Sequence, residues 1–236
     1  VVTNNMANSD TTAYKKEGST SQSFDSVYGI KINDSSVNYI HQNIGRMSLG
    51  VKVGETYTDY GDGNLEETEQ LYDMALSGKG FFAISYADRN GNESVRYTRD
   101  GNFTVNSQGV LVTKDGDFVL AEDGGLINIP EGVKISVDES GRITADGQEI
   151  AQLQLVDFED YNYLEKFGEN MYIAIDGATT KDAQCKVYQG YLEASNVNVV
   201  TEMVDMITIT RDYESNQKVI QTIDSTLEKS VALGRI

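Results

Sequence analysis

Few residues in this sequence are of the kinds that do chemistry, and their spacing works against them. There is one histidine, His41, and one cysteine, Cys185. A Ser-His-Asp or Cys-His arrangement would have to draw its base from His41 alone, and no G-x-S-x-G elbow occurs. His41 precedes Gln42-Asn43 in a polar stretch and reads as a surface residue. Cys185 reads as a small buried hydrophobe; standing alone, it can form neither an intrachain disulfide nor a cysteine-based metal site. Gly78-Lys79-Gly80 lacks the spacing of a phosphate-binding loop. Asp88-Arg89-Asn90-Gly91-Asn92 has the opening of a calcium loop, but its sixth position is Glu93 where glycine is required. Paired carboxylates can hydrolyse glycosides, and with 37 acids their separation is left open by the sequence. Tryptophan is absent, so stacking on a sugar would fall to the 14 tyrosines. These residues lead us to expect no catalytic, cofactor or metal site, with an acidic surface β protein or hydrolase as the competing reading.

The charge balance narrows the partners. The net charge is -18, from 19 basic and 37 acidic residues among 236. Such a field repels phosphate backbones, and the only adjacent basic pair is Lys15-Lys16, so no nucleic-acid partner is expected. No apolar run approaches the roughly 18 to 20 residues of a membrane-spanning helix, so no membrane insertion is expected either. Val1-Val2-Thr3-Asn4-Asn5 has neither the basic flank nor the apolar run of a secretory signal.

Three textures follow one another along the chain. Residues 1–30 are polar and rich in Asn, Ser and Thr. Val1, Val2 and Met6 read there as the last apolar turn of a helix whose upstream part is missing, followed by an extended segment. Residues 31–188 are strand-like. Asp62-Gly63, Asn90-Gly91, Asp100-Gly101, Asp115-Gly116, Asp123-Gly124, Asp146-Gly147 and Asp176-Gly177 can each supply the positive-φ geometry of a tight turn. Short β-favouring runs lie between them, such as Phe81-Phe82-Ala83-Ile84 and Gln152-Leu153-Gln154-Leu155-Val156. Turns at this spacing predict an antiparallel β domain and not βαβ units.

Residues 189–236 change period. Every seventh residue from Val199 is apolar: Val199, Met206, Tyr213, Ile220, Leu227. The companion row three residues on is Glu202, Ile209, Asn216, Ile223, Ser230. The spacing predicts a helix of about 35 residues, capped by Asn196 or Asn198, with Glu202 and Asp205 at its positive end and Gly234 at its close. So long a helix asks for a helical partner, and Asn216 within the seam can fix register. The other reading is that it lies across its own β domain.

Ordered motifs then carry a resemblance. Asn5-Met6-Ala7-Asn8-Ser9-Asp10-Thr11-Thr12-Ala13-Tyr14-Lys15 is similar to the N-terminal signature N-x-A-N-x-x-T-x-G-[FY]-K of bacterial flagellar rod, hook and hook-associated axial proteins. Ala13 replaces the usual glycine, which puts a positive-φ turn there in question. Gly63-Asn64-Leu65-Glu66-Glu67-Thr68 with Asp73-Met74-Ala75-Leu76-Ser77-Gly78-Lys79-Gly80-Phe81-Phe82 resembles the family's central pattern. It departs at Glu69, Gln70 and Tyr72, where the family favours Gly, Asn and Leu. Tyr97-Thr98-Arg99-Asp100-Gly101-Asn102-Phe103 follows in order. Gln189-Gly190-Tyr191-Leu192-Glu193-Ala194-Ser195-Asn196-Val197 matches the motif that leads into the C-terminal helix.

The resemblance implies a mainly β, antiparallel, discontinuous central domain, with terminal helical segments that pair as a coiled coil on assembly. It implies a structural subunit of the flagellar basal-body rod, in the tube that transmits motor torque to the hook, and no enzyme. Partners would be further copies, other rod and hook subunits, and the flagellar export apparatus. The seam would comprise Val199, Met206, Ile209, Tyr213, Asn216, Ile220, Ile223 and Leu227. A hook or hook-associated component is the alternative, and the length favours the rod. The ending Val231-Ala232-Leu233-Gly234-Arg235-Ile236 leans towards the proximal rod type, and Gly18 to Gly45 shows no clear distal-rod insert.

Overall fold

A computed structural model describes residues 1–31, 42–88, 93–130 and 132–233. His41, the Asn90-Gly91 pair, most of the calcium-loop lookalike and the Gly234 helix stop lie outside the described residues. The chain separates into two compact units, one formed by residues 17–59 and the other by residues 2–16 with residues from Tyr60 onwards. These units divide the chain at 16/17 and 59/60.

The smaller unit is antiparallel ribbon. Glu17–Ser23 pairs with Val51–Thr58, and Val27–Lys31 pairs with Gln42–Met47. The first ladder slips register between Ser19 and Ser21. At that bulge the Thr20 hydroxyl replaces the lost ladder bonds: it donates to the Glu55 carbonyl at 3.2 Å and accepts from the Glu55 N–H at 3.0 Å.

Among the described residues of the larger unit every strand pairing is antiparallel, as the turn spacing predicts. The main sheet has nine strands. Its path runs Leu164–Phe167, Met171–Ala174, Glu93–Thr98, Phe81–Ala87, Phe118–Val119, Leu111–Thr113 and Phe103–Val105. Leu155–Phe158 also pairs with Phe81–Ala87, and Thr180–Asp182 with Leu155–Phe158. Three further strands, Ile135–Val137, Arg142–Ala145 and Gln148–Gln152, make a meander. Period-two alternation places neighbours in different cores: Phe82 packs with Ile84, Phe103 and Leu111, whereas Phe81 packs with Phe158, Leu164 and Tyr172. The second of these is an aromatic cluster, completed by Tyr60, Tyr97 and Tyr161. Cys185 is half-buried against the first, and burial pushes its thiol pKa up.

The Asp/Asn-Gly pairs divide into two kinds. At Asp146-Gly147 both residues have positive φ, 49° and 79°, and Ala145 faces Gln148 across a two-residue hairpin. Gly116, Gly124 and Gly177 also adopt positive φ. Asp62-Gly63 and Asp100-Gly101 do not, contrary to the turn reading. There glycine is needed because another strand passes: a Cβ on Gly101 would stand 1.5 Å from the Met74 carbonyl oxygen, and one on Gly63 1.9 Å from that of Ala194.

Two helices flank this body, α1 (Val2–Ala7) and α2 (Val199–Leu233). Asn198 caps α2, its Oδ1 accepting from the N–H groups of Val200 and Thr201. Asn196, the other candidate cap, is used elsewhere.

Candidate assembly surface and the junction that carries it

Three distant stretches of chain converge where α2 begins. Leu65–Glu67 pairs with Tyr191–Glu193, and the Ala13 N–H donates to the Glu193 carbonyl at 2.7 Å. The Lys16 N–H donates to Asn196 Oδ1 at 2.7 Å, while Asn196 Nδ2 donates to the Gly61 carbonyl at 3.1 Å. The N-terminal segment thus runs beside the strand that leads into the helix. The backbone needs a positive-φ residue on each side: Ala13 and Glu69 both have φ 56°. The doubt over Ala13 is resolved by the structure, because the left-handed turn is kept without glycine. Glu69 does the same at the other position where the resembling family favours glycine.

A charged cluster sits inside this crossing. Lys15 and Glu193 are fully buried, with Lys15 Nζ 2.5 Å from Glu193 Oε1 and 2.8 Å from the Gly61 carbonyl. Glu193 Oε1 also accepts from the Gly63 N–H at 2.8 Å, and Glu193 Oε2 meets Arg99 Nε at 3.1 Å. Arg99 spans onward to the Gly78 carbonyl and to Asp62 Oδ1 at 3.0 Å. Burial lowers the Lys15 pKa, opposed by the charge and hydrogen bond of Glu193. One carboxylate therefore holds two buried cations, one from the N-terminal motif and one from the middle of the chain. Loss of the carboxylate from such a site, which leaves both cations buried and unmatched, costs about 3–5 kcal/mol.

A second polar layer links the helices. Asn5 Nδ2 donates to Glu202 Oε2 at 3.3 Å, and Lys16 Nζ lies 2.6 Å from Glu202 Oε1. The Tyr14 hydroxyl donates to Asn5 Oδ1 at 3.3 Å. Thr11 Oγ1 donates to Asn8 Oδ1, and Asn8 Nδ2 to the Asn4 carbonyl, which closes the turn after α1.

The remaining motif residues serve the same frame. A Cβ on Gly78 would approach the Gln184 carbonyl to 2.8 Å, and one on Gly80 would approach Cys185 Sγ to 3.0 Å. Asp100 accepts from the Asn102 N–H and from Asn170 Nδ2, and burial raises its carboxyl pKa. Leu192 is buried, Val197 is half-buried and its N–H donates to Ser195 Oγ, and Ala7 is exposed. Arg99, Asp62, Lys16 and Glu202 were not among the expected site residues. Arg99 and Glu193 lie within the resembling motifs, but nothing in the sequence joins them to each other or to Asp62 and Lys16.

Past its first two turns α2 is different. Val199 and Met206 are half-buried, and α1 packs against this end of the helix. Glu202 is the one fully buried residue of α2. Ile209, Tyr213, Asn216, Ile220, Ile223 and Leu227 are all exposed, Tyr213 at 70% and Ile220 at 59%. The reading in which α2 lies across its own β domain does not describe this arrangement. Thr208, Thr210, Thr222 and Thr226 satisfy their hydroxyls on carbonyls one turn back in the same helix. Among the described residues no group of three or more His, Cys, Asp or Glu is placed to hold a metal ion, and no helix is long and apolar enough to cross a membrane.

Comparison with known proteins agrees with this layout. Residues 188–233, which include α2, match the model described as flagellar basal body rod FlgEFG protein C-terminal. Residues 75–145 match the one described as flagellar hook protein FlgE/F/G D1 domain. The chain is 34% identical over 245 residues to the flagellar basal-body rod protein FlgG of Buchnera aphidicola subsp. Schizaphis graminum, covering 97% of this chain and 91% of that protein. It is 34% identical to the flagellar basal-body rod protein FlgF of Caulobacter vibrioides, covering 98% of this chain and 87% of that protein. It is 31% identical to the FlgG of Bacillus subtilis, covering 100% of this chain and 92% of that protein. With this identity over nearly its whole length, the chain belongs to the family of flagellar basal-body rod proteins.

Proposed function

We propose that this protein is a structural subunit of the flagellar basal-body rod and polymerises through α2. The observation that carries the reading is the exposed row Tyr213, Ile220 and Leu227 with Ile209 and Ile223 on a helix of 35 residues. Each such side chain gains roughly 1.5–3 kcal/mol when removed from water, and a soluble monomer gains nothing from displaying five of them along one stripe. In the assembled tube this stripe packs as a coiled coil on helical segments, its own N-terminal one and those of other rod and hook subunits. The β body stands outside as the outer domain, and the subunit reaches the rod through the flagellar export apparatus. It acts by contact and not by catalysis.

The test is Ile220→Asp. It places a carboxylate in the middle of the stripe, where burial requires either an unpaired charge or protonation. The subunit is expected to be exported, leaving few completed hooks and poor swimming, with unchanged thermal melting of the β body. Asp212→Asn changes charge on the same helix and is expected to have little effect. Normal swimming with Ile220→Asp would remove the stripe from the assembly surface. A destabilised β body would show that α2 belongs to its own domain's core.

A further inference from the structure

Glu202 occupies the companion row that Ile209 and Ile223 hold further along α2, so a carboxylate stands where the seam otherwise takes isoleucine. It is 1% exposed, the deepest side chain of the helix. Burying a carboxylate there is costlier than burying a leucine of similar size, and the cost is offset only if both oxygens are satisfied. Two groups that arrive from different places face its oxygens: Asn5 Nδ2 from α1 donates to Oε2 at 3.3 Å, and the Lys16 ammonium from the segment beyond it forms an ion pair with Oε1 at 2.6 Å. Asn5 is itself gripped by the Tyr14 hydroxyl, which in turn accepts from Asn4 Nδ2 at 3.2 Å. Lys16 cannot follow a sliding helix, because its N–H is tied to Asn196 and its neighbour Lys15 is locked to Glu193.

An apolar row alone does not define one alignment. Val199, Met206, Tyr213, Ile220 and Leu227 repeat every seven residues, so a shifted pairing finds equivalent partners. A slip of α1 by one heptad, seven residues or about 10.5 Å along α2, would withdraw Asn5 from Glu202 and strand half of the carboxylate. Only one alignment satisfies the polar layer.

We propose that Glu202, with Asn5 and Lys16, is a register pin that holds α1 and α2 in the single alignment from which the seam runs outwards. The pin is a property of one chain; only its consequence for the tube rests on the assembly reading above. The two can be separated.

The alignment is read as a distance in the full chain. Nitroxide labels at Thr3→Cys and Ser215→Cys, both exposed, in a Cys185→Ala background report how α1 lies along α2. The parent is expected to give one narrow distance distribution. Glu202→Leu is expected to broaden it or to add a population displaced by about 10.5 Å along α2, one heptad, with unchanged melting of the β body. Asn5→Leu attacks the same layer from the other helix and is expected to broaden the distribution in the same way. Exchanging the charges, Lys16→Glu with Glu202→Lys, is expected to restore a single population more fully than either change alone. A single narrow distance in both leucine variants would overturn the pin. A broadened distance with normally assembled rods would leave the pin standing and remove its role in assembly.

Discussion

The crossing at Glu193 and the outer length of α2 lie a few residues apart in sequence and obey opposite rules. At the crossing, charges are buried and matched; on the helix, apolar side chains are exposed and unmatched. Lys15, Arg99 and Glu193 have replaced water with one another inside a single chain, so their energy is already spent on holding that chain's shape. Tyr213, Ile220 and Leu227 have replaced nothing. Their hydration is a free-energy difference still available when another helical surface arrives. A subunit built to polymerise needs both. A soft crossing would let α2 point anywhere, and an already covered stripe would leave nothing to drive assembly.

The contrast predicts that substitutions at the crossing damage the monomer and substitutions on the stripe damage only the polymer. Glu193→Ala makes the largest difference. It leaves Lys15 and Arg99 buried without their carboxylate and frees the Gly63 N–H, and should lower the stability of the β body by about 3–5 kcal/mol. Urea denaturation would measure it. Lys15→Met, which removes one cation and leaves Arg99 on Glu193, should cost less. Equal stability of Glu193→Ala and the parent would mean that the cluster is decoration.

A smaller effect tests the backbone of the same crossing. Ala13 holds φ 56°, where an L-residue with a Cβ is strained by roughly 1–2 kcal/mol. Glycine relieves that strain but adds about 0.5–1 kcal/mol of chain entropy to the unfolded state. The Ala13 methyl is also buried and its loss costs about 0.8 kcal/mol, so Ala13→Gly should be close to neutral. Ala7→Gly, the same substitution in exposed α1, should destabilise by up to about 1 kcal/mol. Paired thermal melts should leave Ala13→Gly near the parent and lower Ala7→Gly; a loss of about 1–2 kcal/mol in Ala13→Gly would show that Ala13 is not strained.

What could be read from the sequence follows from how local its cause is. The Asp146-Gly147 hairpin was legible because the turn chemistry and the two strands it joins span only a dozen residues. The long helix was legible because its heptad row depends on spacing alone. The crossing was not: Lys15 and Glu193 are 178 residues apart, and nothing in either neighbourhood names the other. Lys15-Lys16 stood out in the sequence only as an adjacent basic pair, yet Lys15 is buried and Lys16 closes the polar layer on Glu202. Gly63 and Gly101 were misread as turns for the same reason. A dipeptide shows that glycine is needed, but a passing strand and a left-handed turn both need it. The motif resemblance marked most residues of the crossing without revealing that they meet there.

The least effect is expected away from both regions, at Asp157, and it sharpens the contrast through pH. This carboxylate is buried beside the aromatic cluster, and burial alone would raise its pKa. Hydrogen bonds from Tyr161, Lys181 and the Phe158 N–H outweigh burial together, and its pKa lies below the usual carboxylate value of 3.8. A folded pKa below the unfolded one means that the unfolded chain binds the proton more readily in between. Asp157 therefore contributes stability that is fully present above about pH 4 and is lost as pH falls through the folded value. Lys181 is 44% exposed, so solvent screens its share. Asp157→Asn should leave the β body somewhat less stable at neutral pH and make its loss of stability below pH 4 shallower than in the parent. The exposed stripe of α2 carries no carboxylate in its apolar row, so the helical signal of α2 should not change with this substitution. Parallel acid titrations by near- and far-UV circular dichroism separate the two. Identical acid slopes for Asp157→Asn and the parent would show that the Tyr161 and Lys181 bonds do not hold the carboxylate in the charged form.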